Sequence, residues 1–311
     1  MTTSPIRQIH VIINPAAGQA EPILNVLNAV LRPAGIKWEV FITNEAGDAR
    51  KFAQRAQAAG VDIVAVYGGD GTVTEAASGL IGSNLPLAIL PGGTANVTSI
   101  ELGIPVRLED AVALMCDAAR SDRLVDMGTV GDKLFLGHVG IGLEADMHQT
   151  ADRSLKDRFG ILAYPIAALQ ALRDRPVAHY ALVLDGERIE IDGLDCMVTN
   201  LGSIGILGAT IAGNISVSDG LLDVIVIRGA DAMSLGQLVG SLTGLPDPAN
   251  PLPHWQVRNA SITADPPQRV TADGEMLSTT PVDIKVLPGA IHIIVPANAI
   301  EKGKQAASIS L

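Results

Sequence analysis

The 311-residue chain is too long for one ordinary hydrophobic core and suits two domains of roughly 100–200 residues each. With 22 Lys and Arg against 33 Asp and Glu it carries a formal charge of −11, and Trp, Tyr and Phe number only 2, 3 and 4. Together these exclude a broad basic surface for nucleic acid and recognition by base stacking.

Taken in chain order, the first 125 residues alternate short apolar runs with helical periodicity. Gln8–Ile13 (QIHVII) reads as a strand ending in Asn14-Pro15-Ala16-Ala17-Gly18. Pro22–Arg32 follows with Ile23, Val26, Leu27, Val30 and Leu31 at helical spacing. Lys37–Ile42 is a strand and Asp48–Ala59 an Ala-rich helix. Asp62–Tyr67 (DIVAVY) has the near-continuous β-branched pattern of a strand covered on both faces. It runs into Gly68-Gly69-Asp70-Gly71-Thr72 and a helix at Val73–Leu80. Leu87–Leu90 is a strand ending in Pro91-Gly92-Gly93-Thr94-Ala95-Asn96. Strands alternating with helices predict a parallel, doubly wound α/β sheet, whose ligands sit at the carboxyl ends of strands.

From about Leu124 short strand-like runs follow one another: Leu134–Val139, His179–Leu184, Arg188–Ile191, Asp195–Asn200, Leu222–Ile227, Gln256–Ala264, Pro281–Val286 and Ile291–Val295. Asp185-Gly186 has the composition of a hairpin turn. Helical patterns appear only at Asp157–Arg173 and Ala232–Leu245. The expected organisation is a nucleotide-binding α/β domain at 1–125 and a mostly antiparallel β domain at 126–296. A cleft lies between them, and a tail of about 297–311 packs back on the first domain. The leucines and glycines of Ala232–Leu245 suit either core or a homodimer interface.

Cys116 and Cys196 stand far apart with no CxxC or Cys/His cluster, which excludes a zinc module or disulfide scaffold and suits a reducing, cytoplasmic compartment. The N-terminus lacks the apolar stretch of a secretory signal. The longest greasy run, Phe159–Leu172, contains Pro165 and Gln170 and is shorter than a bilayer crossing. The mean hydropathy of +0.32 nevertheless leaves room for an apolar pocket or transient contact with a membrane surface.

Three glycine-bearing loops fall on one rim of the expected sheet. Glycine removes Cβ atoms, so backbone N–H groups can approach phosphate, and a following helix N-terminus adds partial positive charge. The hydroxyls of Thr43, Thr72 and Thr94 and the amides of Asn14 and Asn96 suit sugar or phosphate oxygens. Asp70, a poor phosphate neighbour alone, suggests Mg²⁺ or a water network. Each loop alone is equally well an ordinary capped turn; three on one rim point to a nucleotide. No Gly-Lys-Ser/Thr or GxGxxG is present, nor GxSxG or HExxH. In the second half, Asp273-Gly274-Glu275 offers two carboxylates able to accept a hydroxyl proton. Asp185-Gly186-Glu187 has the same letters in what reads as a plain hairpin. Ser216-Val217-Ser218-Asp219-Gly220-Leu221 is a third acidic turn with oxygens suited to a hard cation or to an unaided β-turn. His10, His254 and His292 read as structural.

The blocks NPAAG at 14–18, GGDGTVTEA at 68–76, PGGTANVTSIELGIP at 91–105, VDMG at 125–128, Asn200, SDGLLDV at 218–224 and ADGE at 272–275 resemble, in order and spacing, the diacylglycerol kinase catalytic-domain family of lipid kinases. The resemblance implies a Rossmann-like N-terminal domain, a β-sandwich C-terminal domain, and ATP and a lipid such as diacylglycerol sharing the cleft. It implies ATP contacts at Asn14, Thr43, Gly68, Gly69, Asp70, Gly71, Thr72, Val73, Thr74 and Thr94, and a proton acceptor at Glu275 with Asp273 beside it. A structural Mg²⁺ would map to backbone oxygens of Ser216 and Leu221 and the carboxylate of Asp219. A water-mediated acidic network near the ATP metal would map to Asp70 and Asp126.

Ala17 and Gln19 depart from a common Ser and a basic residue, Thr74 from a common Asn, and Val97 from a common Asp. With Asp70, Asp273 and Glu275 present, an ATP- and Mg²⁺-dependent lipid kinase is expected. The alternatives are a kinase of NAD or another small metabolite with the same GGDGT loop, and a decayed nucleotide-binding module.

Overall fold

The computed structural model describes residues 6–17, 21–142, 177–202, 215–228, 252–297 and 299. The first parallel unit is built from β1 (Gln8–Ile13), α1 (Ile23–Leu31), β2 (Lys37–Ile42), α2 (Asp48–Ala59), β3 (Ile63–Gly68), α3 (Asp70–Ser78) and β4 (Leu87–Pro91). Every residue of β3 and β4 is buried, as expected of strands with helices on both faces. In α2 the small Ala49, Ala53 and Ala56 form the buried stripe, and the helix stops at Gly60, whose φ of 67° is cheap only for glycine.

Two short helices follow, α4 (Val97–Glu101) and α5 (Leu108–Cys116). Neither stood out in the sequence, because α4 has barely one turn of periodicity. In α5, Leu108, Ala111, Val112 and Met115 form a narrow buried stripe.

The chain then builds β5 (Ser121–Val130), β6 (Lys133–Phe135), β7 (His138–Gly142), β8 (Ala178–Leu184), β9 (Glu187–Gly193), β10 (Asp195–Thr199), β11 (Leu222–Ile227), β12 (His254–Val257), β13 (Asn259–Asp265), β14 (Arg269–Ala272), β15 (Glu275–Thr279) and β16 (Val282–Val295). A ten-stranded sheet runs β2-β1-β3-β4-β16-β13-β8-β9, with β5 along β16 and β6 beside β5; a six-stranded sheet runs β12-β11-β10-β7-β14-β15. Pairing among β1 to β4 is parallel, and the later pairings are antiparallel apart from the contact of β16 with β4.

The long strands β5 and β16 join the halves. Ile293 of β16 lies beside Leu87 of β4, while Val282–Lys285 pair with β13, and β5 follows β16 along both parts. The sequence runs 281–286 and 291–295 are thus one strand, interrupted by a register break between Leu287 and Ile291. Residues 125 and 126, where the expected domain boundary falls, both lie inside β5: Val125 pairs with Ile291, and Asp126 sits at the register break, its N–H donating to Val217 O at 2.8 Å.

One apolar core lies around β1, β3, β4 and the end of β16. A second fills the space between the two sheets, with Val139, Val198 and Val224 from the smaller and Tyr180, Leu182 and Ile262 from the larger. That is a β-sandwich, as the resemblance implied. The helices expected at Asp157–Arg173 and Ala232–Leu245 lie outside the described residues, as do Gly18, Gln19 and all but two residues of the tail. Among the described residues no helix is long and apolar enough to cross a membrane.

Candidate active site

The strand ends of β1, β2, β3 and β4 bring the expected loops to one rim. Asn14 follows β1: its Nδ2 donates to Thr72 Oγ1 at 2.8 Å, and its Oδ1 accepts the Ala16 N–H at 3.0 Å. Thr43 follows β2, with N–H and hydroxyl both directed to Ile13 O. At the start of α3, helix geometry leaves the N–H groups of Asp70, Gly71 and Thr72 without intrahelical acceptors. A Cβ on Gly71 would meet nothing within 4 Å, so the glycine opens onto free space.

Gly93 has the opposite surroundings. A Cβ there would lie 2.6 Å from Gly69 Cα, so two glycine backbones touch and hold the second and third loops together. The residues fit a phosphate-bearing nucleotide: unpaired N–H groups, a helix N-terminus and a cradle that side chains would fill.

Three of the expected ligand residues play inward roles. Asn96 (φ 49°) accepts Gly93 N–H at its Oδ1 and donates from Nδ2 to Gly93 O, both at 2.9 Å, so its amide closes its own loop. Val73 is buried and its N–H is bonded to Gly69 O, which leaves neither for a ligand. Asp70 accepts the N–H groups of Val97 at 3.1 Å and Thr98 at 3.0 Å, capping α4 from a different loop. Val97, whose side chain departs from the common Asp, thus contributes its backbone N–H. Asp70→Ala should cost about 1 kcal/mol by uncapping α4, read as a lower melting temperature, and loosen the loop that carries exposed Thr94.

Across from α3 stands the β14–β15 hairpin. Its two turn residues, Asp273 (φ 46°) and Gly274 (φ 81°), take the left-handed conformation a two-residue hairpin requires. Asp273 is held by four donors. Its Oδ1 accepts N–H from Gly137 (2.9 Å) and His138 (3.0 Å), and its Oδ2 accepts Leu136 N–H (3.0 Å) and the Thr74 hydroxyl (2.8 Å). Glu275 is exposed and paired with Lys133 Nζ at 2.6 Å. Between α3 and this hairpin lies a cleft of about 250 Å³ lined by Gly71, Thr74, Asp273 and Glu275, and by Arg50, Glu75, Asp132 and Lys133. Arg50 donates from Nε to Ser78 Oγ at 2.7 Å, and Glu75 caps the start of α2 through Ala49 N–H at 2.7 Å. Arg50 and Lys133 were not legible in the sequence: nothing local marks a lone basic residue as facing a cleft. Glu75 was visible only as a letter of GGDGTVTEA.

The look-alike turn at Asp185 has the same positive φ values, but its carboxylate accepts the N–H groups of Arg258 and Asn259 on a neighbouring strand end. It braces a hairpin and faces no cleft residue.

Asp126, which the resemblance places with Asp70 in a water-mediated acidic network, makes its direct side-chain hydrogen bonds to backbone N–H groups. Asp126, 2 % exposed, accepts Gly220 N–H at 2.7 Å and Gly289 N–H at 2.6 Å, which ties it to the 216–221 turn and to the bulge of β16. In that turn Asp219 accepts Leu221 N–H at 3.0 Å and Ser216 Oγ accepts Ser218 N–H at 3.4 Å. Burial raises the Asp219 carboxyl above its ordinary range against the Leu221 bond, and the charges of Asp223 and Asp126 add to the rise. Among the described residues no three His, Cys, Asp or Glu side chains gather into a metal cage. The turn offers one carboxylate and backbone carbonyls, a donor set that fits only a hard cation.

Residues 8–130 match the diacylglycerol kinase catalytic domain, and residues 137–295 match the YegS C-terminal NAD kinase beta sandwich-like domain. Over 271 residues the chain is 30 % identical to a Pseudomonas putida protein named "Probable lipid kinase YegS-like", covering 86 % of this chain and 89 % of that one. A Mycobacterium tuberculosis diacylglycerol kinase is 29 % identical over 301 residues, covering 94 % and 96 %. A crystal structure of a diacylglycerol kinase from Bacillus anthracis superimposes with a TM-score of 0.76 at 27 % identity, covering 94 % and 98 %. The chain belongs to the diacylglycerol kinase family of lipid kinases, phosphotransferases with an alcohol group as acceptor.

Proposed function

We propose that the protein transfers the γ-phosphoryl group of ATP, with Mg²⁺, to a hydroxyl of a lipid such as diacylglycerol, in the cleft between α3 and the β14–β15 hairpin. The observation that carries this reading is the presence of Gly71 and Glu275 on the walls of one cavity. One wall offers unpaired N–H groups at a helix N-terminus, and the other an exposed carboxylate.

In this reading the N–H groups of Gly71 and Thr72 hold phosphate oxygens, while Asn14 keeps the Thr72 hydroxyl oriented. Thr43 and Thr94 contact the rest of the nucleotide. Lys133 and Arg50 supply cationic charge on the cleft wall. Glu275 accepts the hydroxyl proton as the acceptor oxygen bonds to phosphorus and the bond to the leaving diphosphate breaks. Such a transition state is loose, so position and electrostatics do most of the work. Mg²⁺ would neutralise charge on the phosphates when bound.

A second Mg²⁺ belongs in the 216–221 turn, on Asp219 and the carbonyls of Ser216 and Leu221. A cation that binds only the native state stabilises it. Mg²⁺ without ATP should therefore raise the melting temperature of the wild type and leave Asp219→Ala unmoved. Identical, Mg²⁺-independent curves would remove the metal from this turn.

The acceptor is tested by offering ATP with vesicles carrying diacylglycerol, phosphatidylglycerol or ceramide, and separately with NAD, and identifying products by mass. A phosphorylated lipid supports the proposal. Phosphorylated NAD alone would transfer the cleft to a soluble metabolite, and no product with any acceptor would leave a nucleotide-binding module. Transient contact with a membrane surface follows from a lipid acceptor.

A further inference from the structure

Asp273 and Thr74 come from opposite halves of the chain, and their bond is a direct side-chain link between α3 and the hairpin that carries Glu275. Thr74 is 8 % exposed and stands three residues after Gly71, one helical turn along α3. Its hydroxyl reaches Asp273 Oδ2, while three successive backbone N–H groups, 136 to 138, close around the rest of the carboxylate. A Cβ at Gly137 would come within 2.8 Å of Asp273 Oδ1, so glycine is needed for this approach.

Two consequences follow. A carboxylate already accepting four hydrogen bonds, held in a left-handed turn, has no oxygen turned freely toward an incoming hydroxyl. Glu275, two residues on, is exposed and accepts one hydrogen bond at its Oε2, from Lys133 Nζ. In addition, α3 is a rigid element with phosphate-compatible N–H groups at one end and the Asp273 contact one turn later, so anything that orders its first turn also orders Thr74.

We infer that Thr74 and Asp273 are positioning residues: through their hydrogen bond, a nucleotide on the first turn of α3 fixes the hairpin and with it Glu275. This rests on the kinase reading of the cleft. The sequence marked Thr74 as a departure from a common Asn; here its short hydroxyl makes the inter-half contact.

Thr74→Val keeps shape and removes the donor, whereas Thr74→Ser keeps the donor. Three quantities are measured on the full chain: ATP affinity by calorimetry, amide exchange at residues 136–138 with and without ATP, and turnover on diacylglycerol vesicles. In the wild type and Thr74→Ser, ATP should slow exchange at 136–138. In Thr74→Val that slowing should vanish and kcat fall about 10–100-fold, with ATP affinity and KM for ATP within about threefold. A merely structural bond would lower the melting temperature without separating kcat from KM or abolishing the ATP response. Wild-type kcat in Thr74→Val, an ATP response surviving in it, or equal losses in Thr74→Ser would each overturn the inference. A wild type that binds no ATP would overturn the kinase reading and the inference with it.

Discussion

Gly71→Val should leave the protein folded and weaken ATP binding tenfold or more, about 1.4 kcal/mol at least. The reason is the empty space around this position: a side chain there meets no protein atom within 4 Å and projects into the volume a phosphate group needs. Gly93→Val, one loop away, should fail differently. Its Cβ falls 2.6 Å from Gly69 Cα and 3.1 Å from Asn96 Oδ1, and a backbone neighbour cannot swing aside. Overpacking of this kind costs about 1–3 kcal/mol and should part the two loops, so ATP affinity and melting temperature fall together. Calorimetry beside thermal melting separates the two. Unchanged ATP affinity in a folded Gly71→Val protein would remove the nucleotide from this loop.

The second large effect concerns the hairpin. Glu275→Gln should lower turnover by about 10²–10⁴-fold while ATP binding and melting stay close to wild type, because Glu275 is exposed and its pair with Lys133 contributes little to stability. Asp273→Asn should lose stability as well as rate. Its amide NH₂ would point donors at donors where Leu136, Gly137, His138 and Thr74 now converge, and an unmet buried donor costs about 1–3 kcal/mol. Glu187→Gln, in the look-alike hairpin, should change neither. A Glu275→Gln enzyme with wild-type turnover would exclude Glu275 as proton acceptor.

Much of this was legible because the chemistry of the first half is local. A buried strand ending in glycines and leading into a helix defines its own rim, and Gly68 to Thr72 lie where that pattern puts them. The β-sandwich was legible as a texture of short runs. Its sharing of β16 with the parallel sheet was not, because Pro288-Gly289 splits the strand into two runs. Individual roles were harder. Asp70 reads as an acid beside phosphate, yet its partners are amides 27 and 28 residues on. Asp273 and Asp185 have the same kind of turn and the same Gly-Glu following them in sequence. Only tertiary packing gives one the amides 136–138 and Thr74, and the other the amides of Arg258 and Asn259. Asp126 is tied to the nucleotide by the resemblance alone, and its direct partners, the N–H groups of Gly220 and Gly289, lie 94 and 163 residues on.

The most direct measurement is the fate of the terminal phosphate of γ-labelled ATP mixed with Mg²⁺, the full chain and diacylglycerol vesicles. Label should appear in the extracted lipid, one phosphate per ATP consumed, dependent on Mg²⁺ and lost in Glu275→Gln. Label found only as inorganic phosphate, or retained in ATP with every lipid hydroxyl offered, would rule out lipid phosphorylation by this protein.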